Sequence, residues 1–173
     1  MKKIIIFLLL CYLGLAIYYF FPENTIPKLP NGIVIDKILV LKSQRQLQIF
    51  AQGKLISKFT ISLGKNPIGH KEFEGDSRTP EGIYFINTKN PNSHYHKNLG
   101  VSYPNAADIA NAQKLGKSPG GDIKIHGLRN GTGFIGKFHR WYDWTAGCIA
   151  LTDDEIDALY GHISVGTLIE IKP

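Results

Sequence analysis

Cysteine is scarce in this sequence, because the 173 residues include only Cys11 and Cys148. Cys11 lies inside a long apolar run near the N-terminus, so we do not expect it to reach a cysteine in the rest of the chain. The sequence therefore lacks the paired cysteines of a disulfide-stabilised fold. Cys148 is left as either a reactive thiol or a small buried hydrophobic residue, and the cysteine alone does not decide between the two.

Clusters of basic residues are also missing. The formal net charge is +6, and Lys2 and Lys3 supply two of these charges. The other basic residues are scattered, without an arginine-rich stripe or an aromatic–basic platform, so we predict no nucleic-acid partner. A mild positive charge suits an anionic polymer. The chain has no internal repeat and no low-complexity segment, and its length predicts one domain with a real core.

The only long hydrophobic run opens the chain. Residues 4–21 are uncharged and mostly apolar, follow two lysines, and end in bulky "YYFF" rather than in a small-residue cleavage site. Eighteen such residues match the thickness of the hydrocarbon core of a membrane. The pattern predicts an uncleaved signal anchor, a transmembrane helix, over residues 1–21, a Pro-rich linker over 22–35 and an exported domain over 36–173. A buried core helix is the alternative interpretation.

Short alternating or apolar runs separated by turns dominate the exported part. They predict strands and a mainly β fold, with the first three strands in a meander. The predicted strands are "ILVLKS" (38–43), "QLQIFA" (46–51), "LISKFTISLG" (55–64), "GIYFIN" (82–87), "DIKIHG" (122–127) and "TLIEIK" (167–172).

One or two short helices interrupt this pattern. "NAADIANAQKLG" begins at Asn105, a suitable N-cap, and ends at Gly116. "LTDDEIDALYG" carries a capping box, in which Thr152 caps the helix and Glu155 reaches back to it, and Gly161 stops it. The fold class is therefore a β-rich α+β domain.

A catalytic role for Cys148 would need a base, because a free thiol is mostly protonated at neutral pH. The capped helix begins about four residues later, so its dipole is poorly placed to help. Of the six histidines, His126 is the best candidate because it ends a predicted strand and is followed by glycine. His94 and His96 share a polar loop and could bind a metal, but no third ligand is evident, and we predict no metal site and no cofactor.

The sequence around these two residues resembles a known family. "IHG" followed by "WTAGCIAL", with 22 residues from His126 to Cys148, is similar to the L,D-transpeptidase catalytic domain, the YkuD family. The upstream run "SLGKNPIGHKEFEGDSRTPEGIYFI" is part of the same resemblance. The resemblance covers roughly residues 36–172, and the "WTAGCIAL" ending looks most like the YafK-like branch. It implies an L,D-transpeptidase-like β-sandwich or meander outside the bacterial inner membrane, anchored by the N-terminal helix with the catalytic domain in the periplasm.

The resemblance also implies roles for individual residues. Cys148 corresponds to the nucleophile, His126 to the general acid/base, and the carbonyl of Gly127 to the group that orients the imidazole. Gly147 and the amide of Cys148 correspond to the oxyanion hole. The implied activity forms or exchanges peptide crosslinks of peptidoglycan through a cysteine thioester, with stem peptides as partners.

The sequence departs from the common family pattern beside the cysteine. Thr145, Ala146 and Ala150 stand where that pattern has serine, histidine and an arginine two residues after the cysteine. These departures put the substrate contacts in doubt, although not the cysteine–histidine pair. The candidates for substrate contacts are Tyr103, Arg129, His139, Trp144 and Thr145; an ordinary core tyrosine is an equally good interpretation of Tyr103.

Three other functions remain open from the sequence. A thiol hydrolase acting as an amidase or peptidase on the same substrates would use the same residues and release wall-linked peptide or a wall-linked lipoprotein. An inactive wall-binding module would keep only the fold. A buried cysteine in an unrelated β domain would carry no chemistry at all.

Overall fold

The computed structural model describes residues 2–20 and 29–173. The N-terminal run forms helix α1 (Lys2–Phe20). Among these described residues, no helix is long and apolar enough to cross a membrane. The expected transmembrane helix over residues 1–21 is therefore not found in the described part of the chain. Residue 1 and residues 21–28, which include the first half of the predicted linker, lie outside that part.

The domain itself contains eight strands and two α-helices. In chain order the elements are β1 (Ile35–Leu41), β2 (Gln46–Ala51), β3 (Lys54–Thr60), β4 (Gly82–Ser93), β5 (His96–Val101), α2 (Ala106–Lys114), β6 (Lys124–His126), a 3₁₀ segment (Gly133–Trp141), β7 (Ile149–Ala150), α3 (Asp153–Tyr160) and β8 (Ile163–Lys172).

The strands form one curled sheet in the order β3-β2-β1-β8-β4-β5-β6-β7. The β1–β8 and β6–β7 pairs are parallel, and the other pairs are antiparallel. Two single bridges, from Ser62 to Ala150 and from Gly64 to Thr145, join the chain after β3 to the far edge. The two edges of the sheet therefore meet, and one curled sheet replaces the expected sandwich, whereas the β1–β3 meander is confirmed.

Alternation of side chains along the central strands builds the core. Ile38 on β1 pairs with Ile49 on β2 and with Ile169 on β8, and all three are fully buried. Complete burial of an aliphatic side chain stabilises the fold by about 1.5–3 kcal/mol. The period-two pattern of the sequence identified these strands because one face of each strand points into this core.

Both predicted helices are present with their predicted caps. Asn105 accepts hydrogen bonds from the first turn of α2, and Thr152 forms the expected reciprocal box with Glu155 at the start of α3. The sequence missed strand β5, the 3₁₀ segment, the two-residue strand β7 and the extension of β4 to Ser93. The strand predicted over 122–127 is shorter and spans only Lys124–His126; Asp122, with a φ of 60°, lies in the left-handed region before it.

Candidate active site

An open groove of about 570 Å³ lies beside the β6–β7 edge of the sheet. Four residues predicted from the sequence line this groove: His126, Cys148, Trp144 and Thr145. The other lining residues are Lys65, Ser77, Asn90, Asn92, Ser93, His94, Tyr95, Asn98, Asp122, Lys124 and Ala146. Gly127 and Gly147 adjoin lining residues, whereas Tyr103, Arg129 and His139 do not line the groove.

His126 is the last residue of β6 and is held in one orientation. Its ring is buried, and Nδ1 lies 2.7 Å from the carbonyl oxygen of Gly127. With the Nδ1 proton donated to that carbonyl, Nε2 carries the lone pair, which is the tautomer that a general base requires. Burial lowers the pKa of His126, and the nearby Lys124 ammonium lowers it further, against the opposing effect of the Gly127 hydrogen bond. The imidazole is therefore neutral at physiological pH.

Gly127 is required at its position by close packing. A Cβ atom there would lie 2.6 Å from Oδ1 of Asp153 and 3.0 Å from Cβ of His96. Asp153 is the first residue of α3, and its carboxylate accepts a hydrogen bond from the backbone amide of Leu128. The capped helix thus presses on the turn after β6, which fixes the carbonyl that holds His126.

Cys148 precedes β7 and is partly buried. Its thiol donates a hydrogen bond to the carbonyl oxygen of Asp122 at 3.5 Å. Burial raises the pKa of the Cys148 thiol, whereas the backbone and the ammonium of Lys124 oppose that rise. The resting site therefore holds a protonated thiol and a neutral imidazole, not a preformed ion pair.

The register of two short strands brings the thiol and the imidazole to the same surface. In the parallel β6–β7 pair, His126 lies opposite Ala150. Cys148 is two residues before Ala150, and residues two apart on a strand project from the same face. Ile125 and Ile149 project from the other face and are fully buried in the core. The pairing therefore places Cys148 and His126 on the groove face of the sheet.

The turn before Cys148 is shaped by Gly147 and Thr145. Gly147 has a φ of 133°, and a Cβ atom there would lie 2.6 Å from the carbonyl oxygen of Arg78. Its amide donates to the hydroxyl of Thr145, which in turn donates to the carbonyl of Cys148. The amide of Gly147 would have to leave that hydroxyl to contact an oxyanion, so its place in an oxyanion hole stays a prediction.

The segment from 64 to 79 supports this turn from behind. A Cβ atom on Gly64 would collide with the carbonyl oxygen of Ser77, and it would lie 3.1 Å from Cα of Gly147. A nearly fully buried ion pair between Lys71 and Asp76 holds this segment, with Nζ 2.8 Å from Oδ1. Removing one partner would leave the other charge buried and uncompensated, so the pair keeps the two sides of this loop together.

Trp144 and His139 lie beside Cys148 and His126. The Trp144 indole nitrogen donates to Nδ1 of His139 at 3.3 Å, and the Trp144 ring lies edge-on to His126 with centroids 5.8 Å apart. His139 is buried, and burial together with the adjacent Arg140 lowers its pKa to about 3. His139 is thus a neutral acceptor that orients the tryptophan.

Two predicted substrate contacts lie elsewhere. Tyr103 is buried, packs against Tyr84 and donates its hydroxyl proton to the carbonyl of Pro119, which is the core role that the sequence left open. Arg129 is exposed and lies beyond the groove residues. The sequence alone does not show that these two residues lie outside the groove. Tyr103 follows β5 and Arg129 follows β6, and the direction of the chain after each strand decides where the side chain lies.

The polar loop between β4 and β5 contributes to the site in a way the sequence did not predict. Tyr95 packs against His126 with ring centroids 4.7 Å apart, and His94 lines the groove. His96 instead contacts Asp157 at 2.7 Å. Within residues 2–20 and 29–173, no group of three or more histidine, cysteine or acidic side chains is arranged to hold a metal ion.

Comparisons with known proteins identify relatives of this chain. The YkuD family model, described as the L,D-transpeptidase catalytic domain, matches residues 31–171. The chain is 27% identical to YafK of Escherichia coli K12 over 143 residues, which cover 79% of this chain and 50% of YafK. It is 27% identical to YqjB of Bacillus subtilis 168 over 168 residues, which cover 94% of this chain and 83% of YqjB. Both relatives carry the L,D-transpeptidase name provisionally, and the chain spans about half the length of YafK.

Solved structures show the same fold. The helical cell shape determining protein Pgp2 (K307A mutant) of Campylobacter jejuni superposes with a TM-score of 0.62 at 25% identity, over 87% of this chain and 51% of Pgp2. Bd1075 of Bdellovibrio bacteriovorus gives a TM-score of 0.56 at 25% identity, over 83% of this chain and 49% of Bd1075. An L,D-transpeptidase of Mycobacterium smegmatis gives 0.53 at 15% identity, over 79% of this chain and 58% of that chain, a likeness of fold alone.

Proposed function

Because the chain belongs to the YkuD family of L,D-transpeptidase catalytic domains, we propose that it is a cysteine-dependent acyltransferase acting on peptidoglycan stem peptides. The observation that carries this proposal is the register of β6 and β7, which puts the Cys148 thiol and the His126 imidazole on one face of one groove. The imidazole is held there by the Gly127 carbonyl in the tautomer of a base.

Acylation begins from the neutral pair. Rotation of the Cys148 side chain moves its sulfur away from the Asp122 carbonyl, and Nε2 of His126 takes the thiol proton as sulfur attacks a carbonyl carbon of the donor peptide. A carbon–sulfur bond forms, and the carbonyl electron pair moves to the oxygen, which faces the backbone amide of Cys148. Collapse of this intermediate breaks the carbon–nitrogen bond, and the leaving amine takes its proton from Nε2, so a thioester remains.

The second half-reaction returns the enzyme to its starting state. An amine of a second stem peptide gives a proton to Nε2 and attacks the thioester carbon. The carbon–sulfur bond breaks, sulfur leaves as thiolate, and the proton on Nε2 restores the thiol. One amide has replaced another, so the exchange is nearly isoenergetic and needs no ATP.

A hydrolase is the second candidate, and the polar lining of the groove favours it. Three asparagines and a serine line the same groove as Cys148: Asn90, Asn92, Asn98 and Ser77. Their amide and hydroxyl groups can hold water near the thioester, and water would then take the place of the acceptor amine. The same Cys148 and His126 would release a peptide acid, or a lipoprotein from the wall, instead of forming a crosslink.

The proposed place of action is the periplasmic face of the bacterial inner membrane, where stem peptides are present. Every large apolar side chain from residue 4 to 15 of α1 is more than half exposed. A helix that exposes apolar groups on all sides needs an apolar surrounding, so we propose that the N-terminal residues associate with that membrane. The full chain should sediment with membranes, and a chain lacking residues 2–20 should not; sedimentation of both would contradict this attachment.

The decisive experiment for the reaction is mass spectrometry of the full chain incubated with purified muropeptides. We expect an acyl adduct on Cys148 that is absent from Cys148→Ala and unchanged in the control Cys11→Ala. Crosslinked products would identify the transferase, and free acids the hydrolase. An adduct that persists in Cys148→Ala would contradict the nucleophile, and a reactive thiol that no muropeptide acylates would favour a wall-binding module.

A further inference from the structure

A lysine side chain lies beside the nucleophile on the groove face of the sheet. The β6–β7 register pairs Ile125 with Ile149 and His126 with Ala150, and Lys124 and Cys148 are the residues that immediately precede the first of these pairs. Neighbouring strands are about 4.8 Å apart, and the backbone of Lys124 lies within hydrogen-bonding reach of the thiol. Lys124 and Cys148 both line the groove. The backbone of Lys124 thus adjoins the sulfur, and its ammonium group is near enough to lower the pKa of the Cys148 thiol.

The ammonium group of Lys124 is available to a ligand. Its contact is with the carboxylate of Asp122, whose Oδ2 lies 3.2 Å from Nζ and whose side chain is 89% exposed. An exposed ion pair of this kind is weak, because water and salt screen it. The two buried lysines of this domain have no such freedom. Nζ of Lys42 contacts two carbonyl oxygens and Glu81, and Nζ of Lys71 forms a buried ion pair with Asp76.

The donor peptide of the proposed reaction can carry a carboxylate that would pair with the Lys124 ammonium group. The carbonyl that Cys148 attacks is followed by one leaving amino acid, and if that amino acid is C-terminal it carries a free carboxylate. Successive Cα atoms are only 3.8 Å apart, so this carboxylate lies within one residue of the sulfur. A peptide that continued past the leaving residue would present a neutral amide there instead.

We propose that Lys124 is a specificity-determining residue that binds the terminal carboxylate of the leaving amino acid. The enzyme would then act on stem peptides whose scissile bond precedes a C-terminal residue, and would discriminate against longer or amidated donors. This inference rests on the proposed function, because it requires Cys148 to be the nucleophile. A charge-assisted contact of this kind gives a preference of about ten- to a hundredfold.

The test compares two donor peptides that differ only in a C-terminal carboxylate or carboxamide. The rate of adduct formation on Cys148 is measured by mass spectrometry for the full chain and for its variants. The wild type should prefer the acid by about ten- to a hundredfold, Lys124→Gln should bring the ratio near one, and Lys124→Arg should restore a preference. A ratio that is the same in Lys124→Gln as in the wild type would overturn the proposal.

Two controls separate this role from other effects of charge. Lys65 also lines the groove, but its backbone amide is bound to Thr145 on the other side of the nucleophile turn. Lys65→Gln removes the same charge and should keep the acid preference; equal loss in both variants would overturn the assignment to Lys124. If Lys124 only tuned thiol ionisation, Lys124→Gln would slow both peptides equally and change the pH dependence of iodoacetamide alkylation, which would also overturn it.

The outcomes also distinguish this inference from the proposed function. Acylation of Cys148 by both peptides at equal rates in the wild type contradicts the role of Lys124 and leaves the acyltransferase intact. Failure of both peptides to acylate a thiol that iodoacetamide readily alkylates contradicts the proposed function, and the inference falls with it.

Discussion

The two parallel strand pairs of the sheet, β1–β8 and β6–β7, have different roles. The β1–β8 pair runs for most of both strands, and the β-branched residues that face the core, such as Val40 and Ile171, are buried. The β6–β7 pair contains only two residue pairs, and His126 lies on its groove face, next to Cys148. The long pair stabilises the domain through apolar area, whereas the short pair positions two reactive groups and depends on neighbouring elements for its own stability.

The largest effect on stability is expected in the long pair. Ile169 on β8 is fully buried between Ile38 and Tyr84, so Ile169→Ala should lower the free energy of unfolding by about 2–5 kcal/mol. Acylation per folded molecule should stay close to that of the wild type. Chemical denaturation measures the first quantity, and titration of acylated Cys148 measures the second.

A matched control for this prediction lies on the same sheet. Ile83 on β4 is 61% exposed, so Ile83→Ala should cost less than about 1 kcal/mol. Equal losses in the two variants would show that the long pair does not carry the core.

An intermediate effect is expected at the junction between the short pair and α3. Gly127→Ala places a Cβ atom against Asp153 and His96, which should cost about 1–3 kcal/mol and displace the carbonyl that orients His126. Unlike Ile169→Ala, it should also slow acylation of the folded protein. Gly161→Ala is the control, because Gly161 has an ordinary φ and open space around it. Acylation at the wild-type rate in folded Gly127→Ala would contradict the positioning role.

The smallest effect is expected at the cap of α3. Thr152→Ala removes the hydroxyl that accepts the Glu155 amide proton and should cost about 1 kcal/mol, measured by denaturation. Thr152→Ser keeps the hydroxyl and should recover most of that loss. Equal destabilisation by Thr152→Ser and Thr152→Ala would show that the cap hydroxyl does not stabilise α3.

The sequence predicted the long pair more completely than the short one. Strands β1, β2 and β8 alternate buried and outward residues, so their period is visible without a structure. A two-residue strand such as β7 has no period, and its neighbours, β6 on one side and Ser62 on the other, are distant in the sequence. Local patterns identify strands with one buried face, and they cannot identify a strand defined only by its neighbours.

The same limit applies to the candidate site. His126 and Cys148 were identified because thiol chemistry needs a base and because the surrounding motif resembles a family, and the structure places both in one groove. Lys124 was missed although it is two residues from His126, since its proximity to Cys148 exists only once β6 and β7 are paired. Tyr95 was missed for a related reason, because the β4–β5 hairpin brings its polar loop to the imidazole.

The most direct measurement of the central claim is the pH dependence of Cys148 acylation by an uncharged acylating agent. Burial lowers the pKa of His126 and raises that of Cys148. In the wild type the rate should therefore fall only below the usual histidine range and stay level through neutral pH. In His126→Ala the rate should follow thiolate alone and rise about tenfold per pH unit across that range. Identical profiles for the two proteins would show that His126 does not take the proton of Cys148.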